Sequence, residues 1–231
     1  MRNIFSIPDE GIFQGKSNDN FELLKAWAGT TLAYAILQTG AQNILSFAFV
    51  IGLLVAGVVC GLAFVFHELA HRIVARRFGA EAHFVANNGW LLVSIVVAFA
   101  GFFIAAPGAV WHRGYLTDRQ GGLIALAGPA TNLVVSVLFL IPLSIMLIGI
   151  DAGRITETEM IRLLLTFFAT GFSLNAWIGL FNMIPAGPFD GAKVLAWSPK
   201  WFGITVAIGI FLAFIFERIA PTLFSWAARF F

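Results

Sequence analysis

Residues Phe64–Gly79 read FVFHELAHRIVARRFG. Two histidines, a glutamate and three arginines follow directly on an apolar run of about 20 residues, the length of helix that crosses a bilayer. Placing a carboxylate and two imidazoles at the inner end of such a run is costly, because an ionisable group at membrane depth costs a few kcal/mol and normally marks function. The rest of the 231-residue chain has the same character: 59% of residues are hydrophobic and 11% charged, too few polar side chains to coat a globular surface. The composition therefore predicts an all-α polytopic membrane protein. A net charge of +2 gives no sign of nucleic-acid binding, and the single Cys60, set in an apolar run, can form no intramolecular disulfide.

The apolar runs cover about 21–39, 43–71, 90–110, 121–149, 160–187 and 201–217, joined by short polar connectors. About five to six membrane helices are expected from them. Residues 1–20 are polar and mixed in charge, which reads as an N-terminal cytoplasmic arm and not as a signal peptide. The membrane domain then runs over 21–217, with its core at about 43–195. In the tail, 218–231, Leu223, Phe224, Trp226 and Phe230 accompany Arg229, as in an amphipathic helix lying in the interface.

His67, Glu68 and His71 form H-E-x-x-H. On a helix, imidazoles at i and i+4 lie on one face, one turn apart, so both reach a single metal ion. Glu68, one residue beyond the first histidine, is placed to touch a water at the metal and not the metal itself. Catalytic zinc takes three protein ligands and leaves a fourth position open. The candidates for the third are His83, His112, Glu81, Asp118, Asp151, Glu157, Glu159, Asp190 and Glu217. Most sit in hydrophilic connectors, where a solvated charge is the ordinary explanation. Asp190 differs because it follows an apolar helix in the stretch NMIPAGPFDG, Asn182–Gly191. Two prolines and two glycines there stop the helix and let the chain fold tightly around a short carboxylate.

HELAH at the end of a membrane segment, followed about 110 residues later by NMIPAGPFDG, resembles the site-2 protease family of intramembrane zinc metalloproteases. Gly128-Pro129-Ala130-Thr131-Asn132 resembles the G-P-x-x-N element of the helix between those motifs. The likeness covers about 43–195. It implies one Zn2+ per chain held by His67, His71 and Asp190, Glu68 as catalytic base, and a transmembrane protein as substrate. It also implies a multi-pass protein of a prokaryotic cell membrane, embedded in the lipid bilayer, with its site nearer the cytoplasmic face. Asn132 and Asn182 match motif asparagines; each either contacts substrate backbone or satisfies helix backbone broken nearby. Unlike larger members, the chain shows no PDZ-like insert and no nucleotide-binding domain.

Topology and charge bear on the same site independently of the likeness. For HELAH and Asp190 to lie at one membrane face, an even number of crossings must separate them, yet three apolar runs intervene. The run at 90–110, interrupted by Gly101, Pro107 and Gly108, is the one expected to enter and return on the same side, as a re-entrant, partly strand-like hairpin. Val93–Val97, rich in β-branched residues, is its expected strand and a candidate edge for an unwound substrate. With the N-terminus inside, Arg2, Lys16, Lys25, Arg72, Arg76, Arg77, Arg113, Arg119, Lys193 and Lys200 face the cytoplasm, while the connectors at 39–43 and 151–159 hold one arginine between them. Two other functions fit less of this pattern. A catalytically silent relative acting as a binding or chaperone module has no need of a complete ligand set and base. A membrane protease clipping prenylated tails would be expected to use a helical glutamate as third ligand, where this chain offers Asp190 in a proline-glycine loop.

Overall fold

The computed structural model describes residues 18–103, 108–187 and 189–230. They are mostly helical, and they divide between two compact units, Met1–Ile124 and Ala125–Phe231. Residues 1–17 of the expected arm, and Pro107 of the expected hairpin, lie outside the described residues.

In the first unit, α1 (Asp19–Thr39) starts on Asn18, whose side chain accepts from Asn20 N–H at 3.1 Å and Phe21 N–H at 3.3 Å. Gly40, at φ 79°, ends it. Ser46 caps α2 (Phe47–Cys60), which passes through a π-helical segment, Gly61–Val65, directly into α3 (Phe66–Arg77). The composite helix has 31 residues, about 46 Å at 1.5 Å each, more than a bilayer core of about 30 Å requires. Its change of winding has a local cause. The Trp27 indole N–H donates to the Gly57 carbonyl at 2.7 Å, a carbonyl that also accepts from Gly61 N–H. A Cβ on Gly61 would sit 3.2 Å from that indole nitrogen. A side chain inserted at a helix carbonyl is a recognised origin of such irregularity.

The polar connector after α3 forms β1 (Glu81–Ala86), followed by α4 (Asn88–Phe99) and β2 (Gly108–Arg113). The strands pair antiparallel, from Glu81 opposite Arg113 to Ala86 opposite Gly108. β1 alternates, burying Ala82, Phe84 and Ala86. Phe84 meets Phe64 of the π segment edge to face at 5.6 Å, within a cluster that includes Leu23, Ala26 and Leu91. Gly108 is required by close approach, since a Cβ there would lie 2.3 Å from the Val85 carbonyl oxygen.

The expected strand at Val93–Val97 is instead part of α4. Asn87 caps that helix, its side chain accepting from Trp90 N–H at 3.1 Å, and the buried Ser94 hydroxyl returns to the Trp90 carbonyl at 2.8 Å. β-Branching is only a weak prior against a helix whose start is fixed by a cap. β1 precedes the run, and β2 takes up only its last residues, Gly108–Val110. At 12 residues α4 is about 18 Å long, too short to cross a bilayer core.

Ion pairs join α1 to α3 and β1. Asp19 meets Arg72 at 3.2 Å, Arg76 at 3.4 Å and His83 at 2.9 Å. Arg76 also donates to the Ala82 carbonyl at 2.7 Å.

α5 (Asp118–Asp151) begins in the first unit and continues into the second, carrying Pro129 and Pro142 internally. α6 (Glu159–Phe181) starts on Thr158. After the Asn182–Phe189 turn come α7 (Asp190–Trp197) and α8 (Pro199–Ile210), the latter with Ser198 as cap and proline in its first turn. A second π segment, Phe211–Phe216, leads into α9 (Glu217–Ala227) and a closing turn of 3-10 helix, Ala228–Phe230. Ala125, Met183 and Val194 form a buried cluster beside the turn. Among the described residues four helices are long and apolar enough to span a membrane: Phe47–Arg77, Asp118–Asp151, Glu159–Phe181 and Pro199–Phe216. They match four of the six apolar runs; α1 covers a fifth with a charged first turn, and α4 the sixth.

Candidate metal centre

The histidine pair is built entirely on α3. His67, Glu68 and His71 are buried at 4, 7 and 6% exposure, with Ala75 continuing the same face. The Nε2 atoms of His67 and His71 lie 3.0 Å apart, with the rings edge to face. Two imidazoles on one tetrahedral zinc, each bonded at about 2.0–2.1 Å, would hold their nitrogens about 3.3 Å apart. The pair therefore fits a shared ion to within a few tenths of an ångström.

A further contact sets the histidine's tautomer. His71 Nδ1 lies 2.7 Å from the Ile124 carbonyl oxygen on the first turns of α5. A carbonyl can only accept, so Nδ1 carries the proton and the Nε2 lone pair is presented towards His67. This outer hydrogen bond is the usual device for orienting a metal-binding imidazole. It comes from a main-chain atom, which no motif identifies.

Asp190 opens α7 in the second unit at 9% exposure. Its neighbour Gly191 donates its N–H to the Asn182 carbonyl at 2.7 Å. A Cβ on Gly191 would stand 2.2 Å from the Met183 carbonyl oxygen, so glycine is what lets the turn close here. Gly187, at φ 60°, supplies the left-handed step earlier in the same turn.

The other third-ligand candidates have different surroundings. His83 is committed to Asp19, Glu81 pairs with Arg113 at 3.0 Å, and Glu157 and Glu159 lie 3.7 and 3.2 Å from Arg162. Asp118 and Asp151 are exposed at the two ends of α5, and His112 is half-buried on β2 opposite Ala82. Glu217 opens α9. Among the candidates whose side chains are described, Asp190 alone is buried.

Both motif asparagines make hydrogen bonds within their own unit. Asn132, fully buried, donates to Asn175 Oδ1 at 3.0 Å, and Asn175 donates in turn to the Gly171 carbonyl at 2.8 Å. Asn182 caps α6 by donating its amide to the Ile178 carbonyl at 3.0 Å. Asn175 was missed from the sequence, although a carboxamide in the middle of an apolar run, seven residues before Asn182, was the available signal.

Comparison with known proteins agrees with the motifs. No family model matches the chain, and no solved structure matches it. Among curated proteins it is 40% identical over 144 residues to "Putative zinc metalloprotease MJ0611" of Methanocaldococcus jannaschii, covering 62% of this chain and 69% of that one. The Bacillus subtilis relative of the same description, YwhC, is 30% identical over 146 residues, covering 58% of this chain and 64% of its own length. Rip3 of Mycobacterium tuberculosis, again so described, is 34% identical over 145 residues, which is 62% of this chain but 31% of that longer protein. With its HELAH and NMIPAGPFDG motifs and the 40% match to the archaeal protein, the chain belongs to the site-2-protease-like family of zinc metalloproteases.

Proposed function

We propose that the protein is an intramembrane zinc endopeptidase that hydrolyses a peptide bond within or near a transmembrane segment of a membrane-protein substrate. The observation that carries this reading is the His67–His71 pair, two buried Nε2 atoms 3.0 Å apart on a helix long and apolar enough to span a membrane. His67, His71 and Asp190 hold the ion in this proposal, and Glu68 is the general base. Zinc, when bound, supplies Lewis acidity towards the scissile carbonyl.

The chain's own residues do the rest. The Ile124 carbonyl keeps His71 in the tautomer that binds. The Glu68 carboxylate takes a proton from the attacking water as the water oxygen bonds to the carbonyl carbon. It then returns that proton to the amide nitrogen as the C–N bond breaks, leaving a carboxylic acid and an amine. The substrate helix must unwind locally, because an intact helix shields its peptide bonds with its own hydrogen bonds. The segment β1–α4–β2 serves as a re-entrant element on the cytoplasmic side, which keeps an even number of crossings between HELAH and Asp190. Residues 218–231 lie along the membrane surface.

Metal content and cleavage of a single-span test substrate, measured on the same purified variants, test the proposal. Asp190→Ala is expected to lose both zinc and activity, since two histidines make an incomplete site. His112→Ala is expected to keep zinc and to change activity only modestly. Zinc retained in the first and lost in the second would move the third ligand to His112. Cleavage by the wild-type chain that persists after chelation would end the metalloprotease reading.

A further inference from the structure

The face that α5 and α6 share is lined with carboxamides and small residues. Besides the Asn132–Asn175 bond, the buried Ser136 hydroxyl donates to the Phe172 carbonyl at 2.9 Å. Such a seam has one register, because sliding α6 along α5 would strand both amides in apolar surroundings. Shape selects the same register without reference to polarity. A Cβ on Gly179 would lie 3.1–3.2 Å from Leu133, Asn132 and the Pro129 carbonyl, and one on Gly171 would overlap the Phe139 ring at 2.3 Å.

This register extends to the turn. Asn182 lies seven residues, about two helical turns, beyond Asn175, and its carbonyl receives Gly191 N–H. Met183, next in the chain, is packed with Ala125 of α5 and Val194 of α7. Asp190 is therefore tied through Gly191 to residues whose height on α5 is set at the amide pair.

We propose that the Asn132–Asn175 pair positions Asp190, fixing the axial register of α6 on α5 and with it the point at which the carboxylate is presented; Asn175 is a positioning residue of the metal centre. The proposal rests on Asp190 being the third zinc ligand. A pair that only holds two helices together would affect the stability of the metal-free protein and leave its affinity for zinc unchanged.

The test is zinc affinity by competition with a chromophoric chelator on the full chain in detergent, alongside the melting midpoint of the metal-free protein. Asn175→Leu is expected to weaken zinc binding about tenfold or more. Gly179→Ala, which removes neither amide, is expected to weaken it in the same direction. The double variant Asn132→Leu/Asn175→Leu should recover melting midpoint, because no amide is left unpaired, yet should remain weaker than wild type for zinc, because the register is then held without the amide pair. Should Asn175→Leu fail to fold, Asn175→Ser and Gly179→Ala decide the matter. Wild-type zinc affinity in Asn175→Leu or Asn175→Ser together with Gly179→Ala, while Asp190→Ala loses zinc, overturns the register proposal alone. Wild-type affinity in Asp190→Ala overturns the ligand assignment and the register proposal together.

Discussion

In the proposed mechanism, Glu68 is the residue whose replacement separates chemistry from binding. Glutamine is nearly isosteric with glutamate but cannot take a proton from water at neutral pH. Glu68→Gln is expected to lower cleavage by more than about a hundredfold while zinc content stays at one per chain, checked by metal analysis and substrate cleavage on one preparation. Retained cleavage would remove Glu68 from the role of base. At this scale much was legible in the sequence, because H-E-x-x-H is a local pattern and helix geometry alone converts its spacing into a shared face. The Nε2 pair at 3.0 Å follows from four residues of separation. The Ile124 carbonyl was not legible, since every residue has a carbonyl and only the fold selects which one meets His71.

Among the elements, the hairpin around α4 shows where pattern reading stops. The glycines and proline of the run 90–110 interrupt it in the sequence, and the helix within it, α4, has 12 residues. Its strands were misplaced. Val93–Val97 looked extended from side-chain branching, whereas the helix start was written in Asn87, whose cap lies outside the window. β1 did carry its own sign, with Ala82, Phe84 and Ala86 alternating against Glu81, His83 and Val85, but it sits in a connector that polarity marked as a loop. The hairpin also yields a steric prediction. Gly108→Ala forces a methyl to within 2.3 Å of the Val85 carbonyl, so backbone must move. A loss of about 1–3 kcal/mol is expected, measurable as a lower unfolding midpoint in detergent. Gly203→Ala, where nothing lies within 4 Å of the new methyl, should leave the midpoint unchanged.

Taken whole, the chain has its cations distributed unevenly, and this predicts an orientation. Arg113 and Arg119 flank the connector before α5, while the Asp151–Glu159 connector carries Arg154 against three carboxylates. Single cysteines placed at Thr117 and Gly153 are expected to behave oppositely in intact cells. The Gly153 position should react with a membrane-impermeant thiol reagent, and the Thr117 position should react only after lysis. Cys60 is buried and should not compete. The reverse pattern would invert the protein. Depth follows from α3. His67 precedes Arg76 by nine residues, about 13 Å along an upright axis, so with Arg76 and Arg77 among the headgroups a fluorophore at the metal-binding turn should be quenched by mid-chain brominated lipids more strongly than by headgroup quenchers.

The contact between His71 and Ile124 has a consequence for the order in which the protein is made. Both histidines and the carbonyl that orients His71 are encoded before residue 125, whereas Asp190 is translated about 65 residues later. At about 5–20 residues per second, a ribosome takes roughly 3–13 s to cover that interval. If His67, His71 and Asp190 are the ligands, as proposed, the nascent chain for those seconds carries the two imidazoles without the carboxylate. Imidazole pairs favour copper over zinc when both are offered. On the proposed ligand set, correct loading would depend on free copper staying scarce near the emerging chain until the aspartate has been inserted.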